Sequence, residues 1–152
     1  MTITLVKAAN LDLLNAIFYQ QPWIEKFASR MPMELGDGEY FTIYLSSPPR
    51  PIIGQVGLHT LPGTKVAYLK YGLLKPYRGK GYAKAACADL LSRFPSRSIL
   101  ATVDGSNAAS KGLLMKLGFV EVPQKFITVL KKRGVLLESE SLCYKTASST
   151  DV

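Results

Sequence analysis

Three features of the chain predict an α/β sandwich: a mixed, mostly antiparallel sheet of about seven strands with helices on both faces. Strand-like segments follow one another at residues 40–45, 52–60 and 66–74. Turn chemistry at Ser46-Ser-Pro-Pro-Arg50 and Leu61-Pro-Gly-Thr64 separates them, as in an antiparallel meander. Two helical patterns then flank residues 98–103, short, apolar and β-rich as a strand buried on both sides should be. With 152 residues, 47% hydrophobic and 20% charged, the chain can fill one packed core, and wholesale disorder is excluded.

The elements follow in order. Residues 2–6 alternate like a strand, and Asn10 suits the cap of a helix whose Leu14, Ile17 and Phe18 share a face. Pro22 suits the first turn of a second helix, with Ile24, Phe27, Ala28 and Met31 at helical spacing, before a turn from Gly36 to Gly38. After the meander a helix is expected over about 81–94, its apolar face formed by Ala83, Ala86, Cys87, Leu90, Leu91 and Phe94. Asn107 opens another, with Ala109, Leu113 and Leu117 in register and Gly118 as a left-handed C-cap. A closing hairpin is predicted from a strand at 126–130, the basic turn Lys131-Lys-Arg-Gly134 and a strand at 135–144. Residues 1–146 read as one domain and 147–152 as a small, polar tail.

Composition narrows the function. Nineteen Lys and Arg against eleven Asp and Glu give a net charge of +8, which favours phosphates, nucleic acid, acidic proteins or an anionic cofactor. Two separated cysteines, Cys87 and Cys143, and the single His59 exclude a disulfide framework, a Cys-rich zinc site and His-His metal motifs, so no metal is expected. Both cysteines read as inert core. No apolar run reaches ~18 residues and no secretory signal opens the chain, so no membrane association is expected and a cytoplasmic location fits.

The segment Leu73-Leu-Lys-Pro-Tyr-Arg-Gly-Lys-Gly-Tyr-Ala83 carries the chemistry. It joins a strand to an amphipathic helix, where small residues let backbone N–H groups approach a ligand and the helix end is electropositive. Arg78 and Lys80 add charge, so the turn suits a pyrophosphate. The spacing of a P-loop is absent, and Lys84 stands where a dinucleotide fingerprint needs a small residue. A basic turn that merely caps a helix remains the alternative.

From Ala67 through Phe119 the chain resembles the GNAT superfamily of acetyl-CoA-dependent N-acetyltransferases. Arg78-Gly-Lys-Gly-Tyr-Ala83 matches the family's pattern (Q/R)-x-x-G-x-(G/A). Residues 67–78 and Asn107-Ala-Ala-Ser-Lys-Gly-Leu-Leu-Met-Lys-Leu-Gly-Phe119 are similar to the branch that acetylates ribosomal-protein N-termini. The resemblance implies acetyl-CoA as co-substrate, with pantetheine inserted beside a splayed central strand. Backbone groups of Leu73 and Leu74 would pair with pantetheine. Backbone amides of Gly79, Lys80, Gly81, Tyr82 and Ala83 would hold the pyrophosphate, with Arg78 bracing the loop. Asn107 would bond the pantetheine arm, or serve as a simple helix cap.

The implied reaction is attack of an amine on a thioester, and the amine must be neutral. Near pH 7.4 neutralising a lysine of pKa ~10.4 costs about 4 kcal/mol, against about 0.5 kcal/mol for an α-amine of pKa ~7.8. The family's usual Glu base aligns with Tyr68 and its usual Tyr acid with Leu114, so neither role has its usual owner. Ser110 is the first candidate to protonate or orient the thiolate, and His59 has an apt pKa for a base. Tyr68 and Tyr71 could relay a proton through water or shape the acceptor pocket; sheet packing is the plainer reading of both. Trp23 and Phe27 could line an acceptor channel, and the basic tip 131–133 could draw an acidic protein segment or RNA phosphates. The expected acceptor is a primary amine, most readily the N-terminal or a lysine amine of a protein, in a monomer or homodimer. Aminoacyl-tRNA and a non-catalytic acyl-CoA-binding module are the alternatives.

Overall fold

A computed structural model describes residues 2–7, 38–60, 66–134, 136 and 138–147. The helices expected between Asn10 and Met31, with Trp23 and Phe27, lie outside the described residues, as do the turn at 61–64 and most of the tail.

The meander forms as expected. Strands β1 (Ile3–Lys7), β2 (Gly38–Leu45), β3 (Ile52–Thr60) and β4 (Val66–Leu73) pair antiparallel in chain order. A short 3-10 turn, Lys75–Tyr77, leads into α1 (Tyr82–Ser92). Then come β5 (Ser98–Asp104), α2 (Ala108–Lys116), β6 (Val120–Glu121), α3 (Gln124–Lys132) and β7 (Glu140–Lys145). Among the described residues the sheet has seven strands in the order β1-β2-β3-β4-β5-β7-β6, and the one parallel pair is β4–β5.

Alternation along the strands divides the molecule into two layers. On one face Ile43, Ile53, Val56, Leu58, Ala67, Leu69, Ile99 and Ala101 pack with Ala86, Cys87 and Leu90 of α1 and Leu114 of α2. The 86, 87, 90 spacing is one stripe of a helix laid on a sheet. On the other face Ile127 of α3, Leu136 and Leu142 form a smaller cluster with Tyr68, Leu100 and Leu130 around it. Cys87 and Cys143 are both buried, and burial pushes both thiols up, as inert core cysteines require.

The closing hairpin is a correction. Residues 126–130 are not a strand; they belong to α3, and the sixth strand is the short Val120–Glu121. The β-branched run Ile127-Thr-Val129 reads as strand locally, but Pro123 stands at the helix N-cap and Ile127 and Leu130 share a helical stripe that fills the smaller cluster. Burial of that stripe overrides a propensity difference of a few tenths of a kcal/mol per residue. Lys131 and Lys132 therefore form the last turn of a helix, where cations meet the negative dipole end, and not a hairpin tip.

Candidate functional site

The site begins where one ladder stops. β4 and β5 pair over three residues only, Val66 with Ser98, Ala67 with Ile99 and Tyr68 with Leu100. β4 then continues to Leu73 and β5 to Asp104, held by β3 and β7 on their outer sides. Two parallel strands that part in mid-sheet leave a slot lined by backbone, open to an extended ligand.

At the head of the slot the chain turns into α1. Gly79 and Gly81 have φ of +76° and +84°, the left-handed region that glycine enters without penalty. A Cβ built on Gly79 would meet nothing within 4 Å, so that position is glycine for its dihedral angles and not for lack of room. Gly81 is the N-cap of α1, no side chain caps the helix, and its first turn holds no acidic residue. The leading N–H groups and the positive dipole end therefore face outward together, as an anion site needs. Arg78 Nε donates to Leu73 O at 2.9 Å, tying the loop back to the end of β4. The Leu74 amide is committed to Ile53 O at 2.8 Å. Lys80 is exposed beside the turn.

The second arm of the slot is α2. Asn107 is its N-cap and accepts from Ser110 N at 3.1 Å through Oδ1, while Gly118 closes the following turn at φ +93°. One turn into α2, Ser110 Oγ is hydrogen-bonded to Tyr71 Oη. Burial pushes the Tyr71 phenol up to about 12, partly opposed by its bond to Ser110. Leu114, where the family pattern has a tyrosine, is wholly buried.

The candidate catalytic residues fall on two faces. Tyr71, odd in the alternation of β4, lies on the α1 side with Ser110. Tyr68 lies on the opposite face, with His59 as its cross-strand neighbour on β3. His59 is buried, and its Nδ1 shares a 2.7 Å hydrogen bond with Tyr40 Oη. Beside this pair the Gln55 amide donates to Thr42 Oγ1 at 3.2 Å. Sequence reasoning missed Tyr40 and Lys70. Tyr40 is bound to His59 only because β2 and β3 pair in this register. Lys70 could have been found from its place two residues after Tyr68.

A family model described as the acetyltransferase (GNAT) domain matches residues 16–120. The chain belongs to the GNAT acetyltransferases. It is accordingly an acetyl-CoA-dependent acetyltransferase. No curated protein sequence matches. Among solved structures it is similar to a spermidine N-acetyltransferase from Vibrio cholerae in complex with CoA and spermine: 15% identity, 96% of this chain and 95% of that one, TM-score 0.64. It is also similar to a Bacillus subtilis acetyltransferase in complex with CoA (14%, 95% and 97%, 0.65) and to a putative phosphinothricin N-acetyltransferase (17%, 97% and 100%, 0.67). At these identities the likeness is one of fold, and the GNAT fold is the one described above. Among the described residues no helix is long and apolar enough to cross a membrane, and no group of His, Cys, Asp and Glu could hold a metal ion.

Proposed function

We propose that this GNAT protein acetylates α-amines of polypeptides, in the manner of the ribosomal-protein N-terminal acetyltransferase branch. The observation that carries the reading is the residue at the end of the β4–β5 ladder: Tyr68, not a carboxylate, stands where the family has its base. A general base matters more for a lysine or polyamine nitrogen, which must give up its proton at a cost of about 4 kcal/mol near pH 7.4. An α-amine needs about 0.5 kcal/mol and tolerates a site without that carboxylate. The motif Asn107-x-x-Ser110 with Lys116-x-Gly-Phe119 supports the same branch.

The co-substrate fits the slot. Backbone amides from Gly79 to Ala83 at the uncapped end of α1 suit a pyrophosphate, and Arg78 holds that turn to Leu73. Pantetheine would run between β4 and β5, meeting the remaining lone pairs of the Leu73 and Leu74 carbonyls and the Asn107 amide. Placed so, the thioester is reached from both faces of the sheet. Ser110, oriented by Tyr71, would stabilise the departing sulfur from one side. The amine would approach from the side of Tyr68 and His59.

Charge on the helix α3 end offers no separate case for RNA, since Lys131 and Lys132 complement that helix's own dipole. A small amine is the second reading, favoured by the spermine-bound Vibrio cholerae structure. Release of free CoA decides between them. With peptides of free N-terminus, blocked peptides bearing lysine, spermidine and a charged tRNA as acceptors, free N-termini should give the highest kcat/KM; activity confined to spermidine overturns the reading.

A further inference from the structure

Beyond its ladder with β5, β4 carries a polar side chain that no role above uses. Alternation puts Lys70 on the face of Tyr68, two residues nearer the open slot. Directly across on β3 is Gly57, which has no side chain to cover it, between Gln55 and His59 on the same face. A Cβ on Gly57 would collide with the Tyr40 ring, so Tyr40 lies over that glycine and reaches His59 with its hydroxyl. Lys70 is half-buried in this polar face, and burial alone lowers its ammonium to about 8. Tyr40, His59 and Tyr68 share the face from β2, β3 and β4, and Asp104 and Glu140, opposite each other in register, share it from β5 and β7.

We propose that Lys70 is the general base that takes the proton from the acceptor's ammonium group. The proposal deepens the α-amine reading and rests on it. His59 shares its Nδ1 with Tyr40 Oη, and a tyrosine hydroxyl is a donor before it is a base. The neutral Nζ of Lys70 accepts one proton from R–NH3+, leaving R–NH2 and a Lys70 ammonium. The freed amine forms a C–N bond to the thioester carbonyl carbon as the C–S bond breaks. The nitrogen's second proton passes to sulfur on the Ser110 side, so CoA leaves as the thiol. Lys70 returns its proton to water. A base near 8 is matched to an α-ammonium of ~7.8 and poorly matched to a side-chain or polyamine ammonium of ~10.4. The substrate class and the base are thus selected together.

The test uses Lys70→Met, Lys70→Arg and Lys70→Cys, the last aminoethylated on the folded protein, where Cys87 and Cys143 are buried from the reagent. Lys70→Met should lose kcat on the order of 10²–10⁴-fold with acetyl-CoA affinity unchanged, and Lys70→Arg should lose as much. Aminoethylation should restore turnover, with the acid limb of the pH profile moved to lower pH because a thioether weakens the neighbouring amine as a base. Independently of turnover, trace acetylation of wild-type Lys70 by acetic anhydride, followed by mass spectrometry, should titrate near 8. Wild-type kcat in Lys70→Arg, an unaltered pH profile in Lys70→Met, or a labelling midpoint at the ordinary lysine value would overturn the proposal. Run on peptide and spermidine in parallel, the variants separate the two claims. A wild-type preference for spermidine sinks the α-amine reading, while loss of turnover in Lys70→Met on the preferred acceptor still supports the base.

Discussion

The turn from Lys75 to Gly81 and the face formed by Tyr40, His59, Tyr68 and Lys70 adjoin the same strand, yet they are made from different parts of the chain's chemistry. The turn is backbone: left-handed glycines, an uncapped helix end, and a single arginine clamped to a carbonyl. The polar face is side chain: two hydrogen-bonded pairs and a half-buried lysine, drawn from β2, β3 and β4. A pyrophosphate is the same in every reaction of this family, so a backbone cradle serves. Acceptors differ, and specificity toward them must be carried by side chains that can change without disturbing the sheet.

The sharpest way to break the backbone half is Gly81→Glu. It forces a side chain into φ +84° and sets a carboxylate where anionic phosphate should lie. Acetyl-CoA affinity should fall at least about 100-fold by calorimetry, equivalent to roughly 2.7 kcal/mol, with the far-ultraviolet circular dichroism retained. Undiminished affinity would mean that the cofactor lies elsewhere.

The same contrast decides what could be read in the sequence. Gly79, Gly81 and Gly118 are legible because a left-handed turn demands glycine locally, and Asn107 because a helix start demands a cap. The meander is legible through its turns. Tyr40 joining His59 is not, since residues nineteen apart meet only when β2 and β3 find their register. The helix at 124–132 was hidden for a similar reason. Its β-branched residues favour strand, and only the smaller core cluster, assembled from β5, β7 and α3, makes a helical stripe the better burial.

Leu114 sharpens the comparison on the α2 arm. Restoring the family's tyrosine by Leu114→Tyr would place a larger, polar side chain in a fully buried site. Overpacking should cost about 1–3 kcal/mol, read as a lower denaturant midpoint, with no gain in kcat because Ser110 and Tyr71 already occupy the slot's α2 side. A rise in turnover would return the acid to its usual position.

Adjacent residues of β4 point to opposite faces and should pull stability in opposite directions with pH. Lys70 is lowered from 10.5 to about 8, so between those values the unfolded chain binds more protons and stability rises with pH. Tyr71 is raised from 10.0 to about 12, so there the folded chain binds more and stability falls. Lys70→Met should flatten the first slope and Tyr71→Phe the second, each on the order of 1 kcal/mol after solvent screening, in denaturation curves from pH 7 to 11. Ser110→Ala should move the Tyr71 phenol higher still, since the bond it removes opposes the shift.

Asn107 stands at the border between the two kinds of construction, because one side chain could cap a helix with its oxygen and hold the pantetheine arm with its nitrogen. Oδ1 already accepts from Ser110 N. Asn107→Ala removes both functions and should cost about 1 kcal/mol of stability. Asn107→Asp keeps an acceptor for the cap at the positive end of α2 and loses the amide donor, so its stability should match the parent. If the nitrogen holds the cofactor, the aspartate variant stays several-fold weaker for acetyl-CoA than the parent despite its restored cap. If the residue only caps α2, affinity and stability recover together, and the cofactor half of the site is backbone throughout.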